Sequence, residues 1–307
     1  MGKARCAPRA PAGTGPRDVV YVIASMIVGG TQTHLLQVFR FLDRERYRPH
    51  LYCLRDEGNL IETARGLDVP VETFGMRGSL RHPGDFAGLL RMRSVMKALD
   101  PSIVHGYLLR GNFFAAAAAR AAGVPVVVTS KRGLHAPAGA GERFAVGTSN
   151  RLSDIVTGNS PAVLEFTREI ERAPSLCMEM IPSGVDTARF DPAVARSLRD
   201  ELGLGDAPIV GTAITFRPRK GFRMLFEAFA AVRERIPDAR LLIAGADAYE
   251  PDPEALARQL GILDAITLLG RRSDMPDVLQ SFDVFVLPSQ SEGMSNAILE
   301  AMAMGLP

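Results

Sequence analysis

The chain has 307 residues, 47% of them apolar, and a net charge of only +2, which places it among ordinary globular proteins of about two domains. Its longest apolar run, about Val19 to Val28, is too short to span a bilayer, which takes roughly 20 residues. Three scattered cysteines, Cys6, Cys53 and Cys177, form no C-x-x-C and suggest a reducing cytosol without a disulfide framework or a cysteine metal site.

The charge is unevenly spread. Residues 1–150 carry 20 Lys+Arg against 11 Asp+Glu, net +9, and the remainder 16 against 23, net −7. A basic first half suits either solvated helix faces or an anionic partner, such as a membrane surface or a pyrophosphate-linked acceptor. Nucleic acid is disfavoured, because aromatics do not interleave with the basic residues and no nucleic-acid-binding motif appears. Residues 1–17, rich in Arg, Pro, Gly and Ala, read as a disordered tail and not as a signal peptide.

From there the pattern alternates strand and helix. The first strand, Asp18 to Ala24, is a continuous apolar run of the parallel-sheet type. It leads through Gly29-Gly30 into a helix from Thr31 to Leu42. Further strands are expected at His50–Leu54, Val69–Phe74, Ile103–His105, Val124–Thr129 and Asp154–Thr157, with helices between them, notably Phe86–Leu99 and Asn112–Ala122; Met178–Ile181 then leads into a turn. The turn Pro182-Ser183-Gly184-Val185-Asp186 and the segment to Ala207 join this unit to a second. The boundaries drawn are 18–187 and 188–307, with the second sheet opening near Pro208. Its strands are expected at Ile209–Thr215, Ala239–Ala244, Ala265–Leu269 and Val284–Leu287, and its helices at Gly221–Ile236, Pro253–Leu260, Met275–Ser281 and Ser295–Met304. Such alternation means an α/β fold with two parallel, Rossmann-like sheets, whose functional loops lie at the strands' carboxyl ends.

Several groups stand at such ends. Gly29-Gly30 permits close backbone approach to a ligand, although no G-x-G-x-x-G or Walker motif is present. Arg217, Arg219 and Lys220 follow the first strand of the second unit, where guanidinium forks and an ammonium suit a phosphate. His105 ends a strand and is a candidate catalytic group. His34 and His135 have less positional support. No metal cluster is evident; Asp252-Pro253-Glu254 reads as a helix start. The most informative stretch is the last, Ser291-Glu292-Gly293-Met294-Ser295-Asn296 through Glu300, in which the two Glu are eight positions apart. Ionised carboxylates are pure acceptors and suit sugar hydroxyls. The helix N-terminus between them suits an anion.

Together these residues resemble the retaining glycosyltransferases of family 4, whose GT-B fold has two facing Rossmann-like domains. The resemblance runs from about Asp18 to Pro307. It is carried by Gly29-Gly30, Ile181–Asp186 with Phe190, Arg217–Gly221, Leu269-Gly270-Arg271 and, most specifically, Ser291 to Met302. It implies a UDP- or GDP-sugar held mostly by the second domain, and a glycan or lipid-linked acceptor against the first. The activity implied is synthesis of a surface polysaccharide or glycolipid in the cytoplasm, peripherally on the inner face of the plasma membrane.

By resemblance, Arg217 and Lys220 neutralise the diphosphate in place of a metal, and Glu292 meets the transferred sugar. Gly293, Met294, Ser295 and Asn296 face sugar and phosphate, Glu300 accepts from the ribose, and Gly29-Gly30 approach the diphosphate. Eight residues of helix rise about 12 Å, which keeps the two carboxylates from shared acid/base work on one bond. Where many members carry His-x-His, this chain has His105-Gly106-Tyr107, so the role falls to either His105 or Tyr107. It has Thr215 where many carry Arg. Members usually continue past Gly305-Leu306-Pro307 with a further strand and terminal helices, which implies a truncated, incomplete second domain. A sugar-nucleotide epimerase of the same fold and an inactive nucleotide-sugar-binding fragment are the competing readings.

Overall fold

A computed structural model of the chain describes residues 15–78, 82–171, 173, 177–216, 218–245 and 252–307. Two compact units divide between Ser183 and Gly184, four residues before the boundary expected from the sequence.

In the first unit the strands are β1 (Arg17–Ile23), β2 (Tyr47–Cys53), β3 (Val71–Thr73), β4 (Ile103–Tyr107), β5 (Val126–Lys131), β6 (Ile155–Gly158) and β7 (Cys177–Met180). All pair in parallel, in the order β3-β2-β1-β4-β5-β6-β7. Val20 of β1 lies opposite both His50 and Val104, so β1 is central. Val19 to Ile23 are all buried, as a strand covered on both faces requires. Arg17, assigned to the tail from the sequence, pairs with Tyr47; the rest of the expected tail up to residue 14, Cys6 included, lies outside the described residues.

The helices are α1 (Gly30–Phe41), α2 (Ile61–Arg65), α3 (Pro83–Leu99), α4 (Leu108–Ala122), α5 (Ala140–Leu152) and α6 (Pro161–Glu169). One apolar core joins α3 and α4 to the sheet, through Met92, Met96 and the fully buried Ala115, Ala116, Ala118 and Ala119. The other joins α1 and α2 to it through Leu35, Phe39 and Ile61. The alanine face lets α4 approach closely: a Cβ on Gly111 would stand 2.8 Å from the Val22 carbonyl oxygen. Cys53 and Cys177 are buried, and neither is in a disulfide.

The second unit repeats the plan with β8 (Ile209–Ala213), β9 (Arg240–Ala244), β10 (Ile266–Gly270) and β11 (Val284–Phe285), in the parallel order β10-β9-β8-β11. Its helices are α7 (Phe222–Arg235), α8 (Pro253–Gln259), α9 (Met275–Gln280) and α10 (Asn296–Ala303). Phe222, Phe226 and Phe229 of α7 pack with Leu241 and Ile243. Leu242 and Ala244 pack on the other side with Val278, Leu279 and Phe282. β11 is two residues shorter than expected because the chain turns toward Pro288, although Val286 N–H still donates to the Gly211 carbonyl at 2.8 Å.

Strand order reverses beside β1 in the first sheet, at the β1–β4 junction, and beside β8 in the second, at β8–β11. Crevices for ligands form at the carboxyl side of such junctions. Among the described residues no helix is long and apolar enough to cross a membrane.

Candidate functional site

The β8–β11 junction assembles the predicted residues of the second unit. After β8 the chain passes Ile214, Thr215 and Phe216 to a short 3-10 turn, Pro218–Lys220, and then Gly221 at the start of α7. Arg217 lies outside the described residues. Gly221 is left-handed, with φ of 71°, a conformation that disfavours any side chain. A Cβ there would also stand 2.0 Å from the Pro288 carbonyl oxygen. The basic turn is thus pressed against the loop after β11, and the Gln290 N–H ties it further by donating to the Arg219 carbonyl at 3.0 Å.

This contact delivers Lys220 to Glu292, 72 positions apart in sequence: Lys220 Nζ donates directly to Glu292 Oε1. Both side chains keep partial exposure, 23% and 30%, so the pair is open to a ligand. Neither α7 nor α10 has a side-chain cap or an acidic residue in its first turn, so neither offsets its positive dipole end in those ways. Gly293, Met294 and Ser295 lead into α10, and Asn296 is its first residue. Only positions 296–300 of the stretch between the two carboxylates are helical, because the helix begins after Glu292. The helical-rise estimate of their separation therefore does not apply; a loop joins them.

Glu300 is half-buried on α10, and burial pushes its carboxyl up to about 7, with Arg189 pulling it down. The folded chain holds this proton more tightly than the unfolded chain. Glu300 thus favours folding at acid pH, and that contribution is lost as pH rises from the ordinary carboxylate value through about 7. Glu300→Gln is expected to flatten the fall in melting temperature over that window; a wild-type slope in the variant would contradict the assignment.

The first unit gathers a different set at its own junction. Gly29 precedes α1 with extended backbone, φ −175°, which any residue adopts. Its added Cβ would meet only the flexible end of Gln32, at 2.8 Å. The loop leading to it is fastened from below by Gly58, where a Cβ would stand 2.0 Å from the Met26 backbone, and by the Leu60 N–H, which donates to the Met26 carbonyl at 3.2 Å. Gly30 opens α1, which also lacks a side-chain cap and a first-turn acid.

His105 lies within β4, two residues before its end at Tyr107, and not at the strand end expected. Its Nε2 is 2.8 Å from Ser130 Oγ, and its ring centroid is 4.4 Å from that of Tyr107. Burial, then His34 and Arg132, depress its pKa to about 3; burial and then Arg132 depress His34 to about 3 as well. Both imidazoles are neutral at pH 7, so His105 lacks the acidic proton of an imidazolium there, although it keeps one N–H for hydrogen bonding, and it is a feeble base. Tyr107, buried against Tyr21, has its phenol raised further. The chain turns sharply here: Leu108, φ 63°, is a left-handed residue with a side chain.

Two residues of this cluster went unmarked in the sequence. Ser130 accepts or donates at both His105 and Thr157, the latter at 2.5 Å. Arg132, just past β5, donates from Nη2 to Ser183 Oγ at 2.8 Å, and burial lowers its pKa. The basic pair Lys131-Arg132 at a strand end was the available signal. Among the described residues no group of three or more His, Cys, Asp or Glu is placed to hold a metal ion.

The profile of Glycosyltransferase Family 4 matches residues 28–189, more than half the chain, and that of Glycosyl transferases group 1 matches 207–307. The Escherichia coli UDP-Gal:alpha-D-GlcNAc-diphosphoundecaprenol alpha-1,3-galactosyltransferase is 29% identical over 308 residues, covering 94% of this chain and 78% of that protein. The GDP-mannose-dependent alpha-(1-6)-phosphatidylinositol monomannoside mannosyltransferase of Mycolicibacterium smegmatis is 33% identical over 49% of this chain and 44% of its own length. Anabaena HepE, solved with UDP and glucose, superposes with a TM-score of 0.79 at 20% identity, over 95% of this chain and 79% of that one. The chain belongs to glycosyltransferase family 4, with the GT-B type of fold, and is a hexosyltransferase-type enzyme using a nucleotide-sugar donor.

Proposed function

We propose that the enzyme transfers a hexosyl group, with retention at the anomeric carbon, from a UDP- or GDP-sugar to a glycan or lipid-linked acceptor. The contact of Lys220 with Glu292 carries this reading, because it sets a phosphate-binding cation beside a hydroxyl-binding carboxylate at one strand junction. Lys220 takes the diphosphate, Glu292 the hydroxyls of the transferred sugar and Glu300 those of the ribose. Backbone N–H groups at Gly293 to Asn296 add the α10 dipole to the phosphate.

The bond from C1 to the phosphate oxygen breaks, the acceptor hydroxyl oxygen bonds C1, and its proton leaves with the nucleoside diphosphate. Lys220 and the helix ends stabilise the charge that grows on the leaving phosphate, without a resident metal. Gly29 and Gly30 leave room for backbone approach to that diphosphate, and His105 serves as a neutral hydrogen-bonding group beside Tyr107. The lipid-linked acceptors in the names of the relatives support such an acceptor here, and with it a position at an anionic membrane face. The basic first half of the chain supports that position too.

A panel of UDP- and GDP-sugars, with product anomers read by NMR, tests the reaction. Donor consumption with an α-linked product from an α-linked donor is expected. Inversion, or an epimerised sugar nucleotide formed without acceptor, overturns the proposal. Lys220→Ala is expected to weaken nucleoside diphosphate binding about tenfold, the worth of one charge-assisted hydrogen bond. Calorimetry reads this, and undiminished affinity would remove Lys220 from the site.

A further inference from the structure

Arg132 brings a positive charge into the first unit where no described residue of opposite sign answers it. It stands directly after β5, at the carboxyl end of the sheet. Among the described residues its guanidinium makes one polar contact, with Ser183 Oγ at 2.8 Å, and takes part in no ion pair. Its neighbour Lys131 shows the contrast, being closed by Glu171 at 2.6 Å. A guanidinium carries five N–H donors in a planar fork, so most of this fork is unspent. Half-burial strips it of part of its hydration, which is costly for a cation left uncompensated. The groups that feel its charge are His34, His105 and Tyr107, all neutral at pH 7. None competes as an internal counterion.

We propose that Arg132 anchors a phosphoryl group of a substrate, gripped by the unused edge of its guanidinium at the end of β5, with Ser183 holding the other edge. A phosphate is the fitting ligand because its oxygens match the fork in a bidentate manner. Two substrates carry that chemistry: the diphosphate of the donor and a phosphate on a phosphorylated acceptor. The naming of these substrates rests on the transferase reading above. The anion site itself does not, and inorganic pyrophosphate suffices to probe it.

The full chain, labelled with 15N-arginine, is titrated with pyrophosphate in a Lys220→Ala background, so that the second unit's basic turn does not contribute. The Arg132 Nε–H resonance, assigned by its loss in Arg132→Lys, is expected to shift and saturate. Arg132→Gln is expected to lower pyrophosphate affinity in this background about tenfold. Arg132→Lys, which keeps the charge but loses the fork, should fall between, and it stands in for the Gln variant if that one does not fold.

Steady-state kinetics then locate the phosphate. A rise of about tenfold in acceptor KM alone assigns it to the acceptor, and the same rise in donor KM alone assigns it to the donor. An unmoved Arg132 resonance, with both KM values unchanged in an Arg132→Gln protein of normal melting temperature, overturns the proposal. Absence of transfer from every donor would sink the transferase reading while leaving the pyrophosphate result standing.

Discussion

Replacing Glu292 by alanine is expected to lower kcat/KM for sugar transfer on the order of a thousandfold while leaving the melting temperature nearly unchanged. The first effect follows from chemistry: an ionised carboxylate can take two sugar hydroxyls, and two charge-assisted hydrogen bonds contribute together about 4 kcal/mol. The second follows from exposure. With 30% of its side chain in solvent, Glu292 forms with Lys220 a pair of the kind worth about 0–1 kcal/mol to folding. Activity and stability therefore separate, which distinguishes a binding carboxylate from a structural one. Glu292→Gln, which keeps one acceptor oxygen, should retain more activity than the alanine variant. Full activity in Glu292→Ala would falsify the placement of the sugar at this loop.

Gly221→Ala is expected to lose both stability and turnover. The left-handed φ of 71° disfavours alanine by about 1 kcal/mol, and its Cβ would meet the Pro288 carbonyl oxygen at 2.0 Å. Backbone cannot swing aside as a side-chain tip can, so the basic turn and the Glu292 loop must separate. A total of about 2–4 kcal/mol is expected by denaturant unfolding. A displacement of about 1 Å between Lys220 and Glu292 is worth roughly a hundredfold in rate. Gly261 supplies the control: it too is left-handed, φ 68°, but has open space where a Cβ would go. Gly261→Ala should show only the conformational part. If the two variants unfold alike and both turn over normally, the close packing at Pro288 is not what holds the site.

The sheets were legible in the sequence because their strands are buried on both faces. Val19 to Ile23 and Leu241 to Ala244 announce themselves as apolar runs, whatever surrounds them. The bounds of helix α5 were not, since Gly147, Thr148, Ser149 and Asn150 are weak helix formers held by packing: Ala145 and Val146 are buried and Ser149 bonds back to the Val146 carbonyl. The Lys220–Glu292 pairing depends on β11 lying beside β8 and not beside β10, which no local pattern specifies. His105 drew attention by lying near a strand end, yet its burial and its Ser130 partner depend on β5 aligning in register with β4. Arg132 was passed over because β5 runs on to Lys131, two residues past the expected end at Thr129, and so lifts the following basic residue to the rim of the sheet.

The ion pair at the second junction has a consequence for the turnover cycle. In the empty enzyme each charge shields the other, so on the proposed placement an arriving donor exchanges one internal contact for two external ones, its diphosphate on Lys220 and its sugar on Glu292. On that placement, once transfer has removed the sugar, Lys220 holds the nucleoside diphosphate beside a carboxylate that no longer has a sugar to bind. Glu292 then competes with the phosphate for the ammonium from a few ångströms away, as an eviction group carried by the enzyme itself. On the proposed placement, spent nucleotide is then expected to bind less firmly than fresh donor, its departure helped by the residue that recognised the sugar.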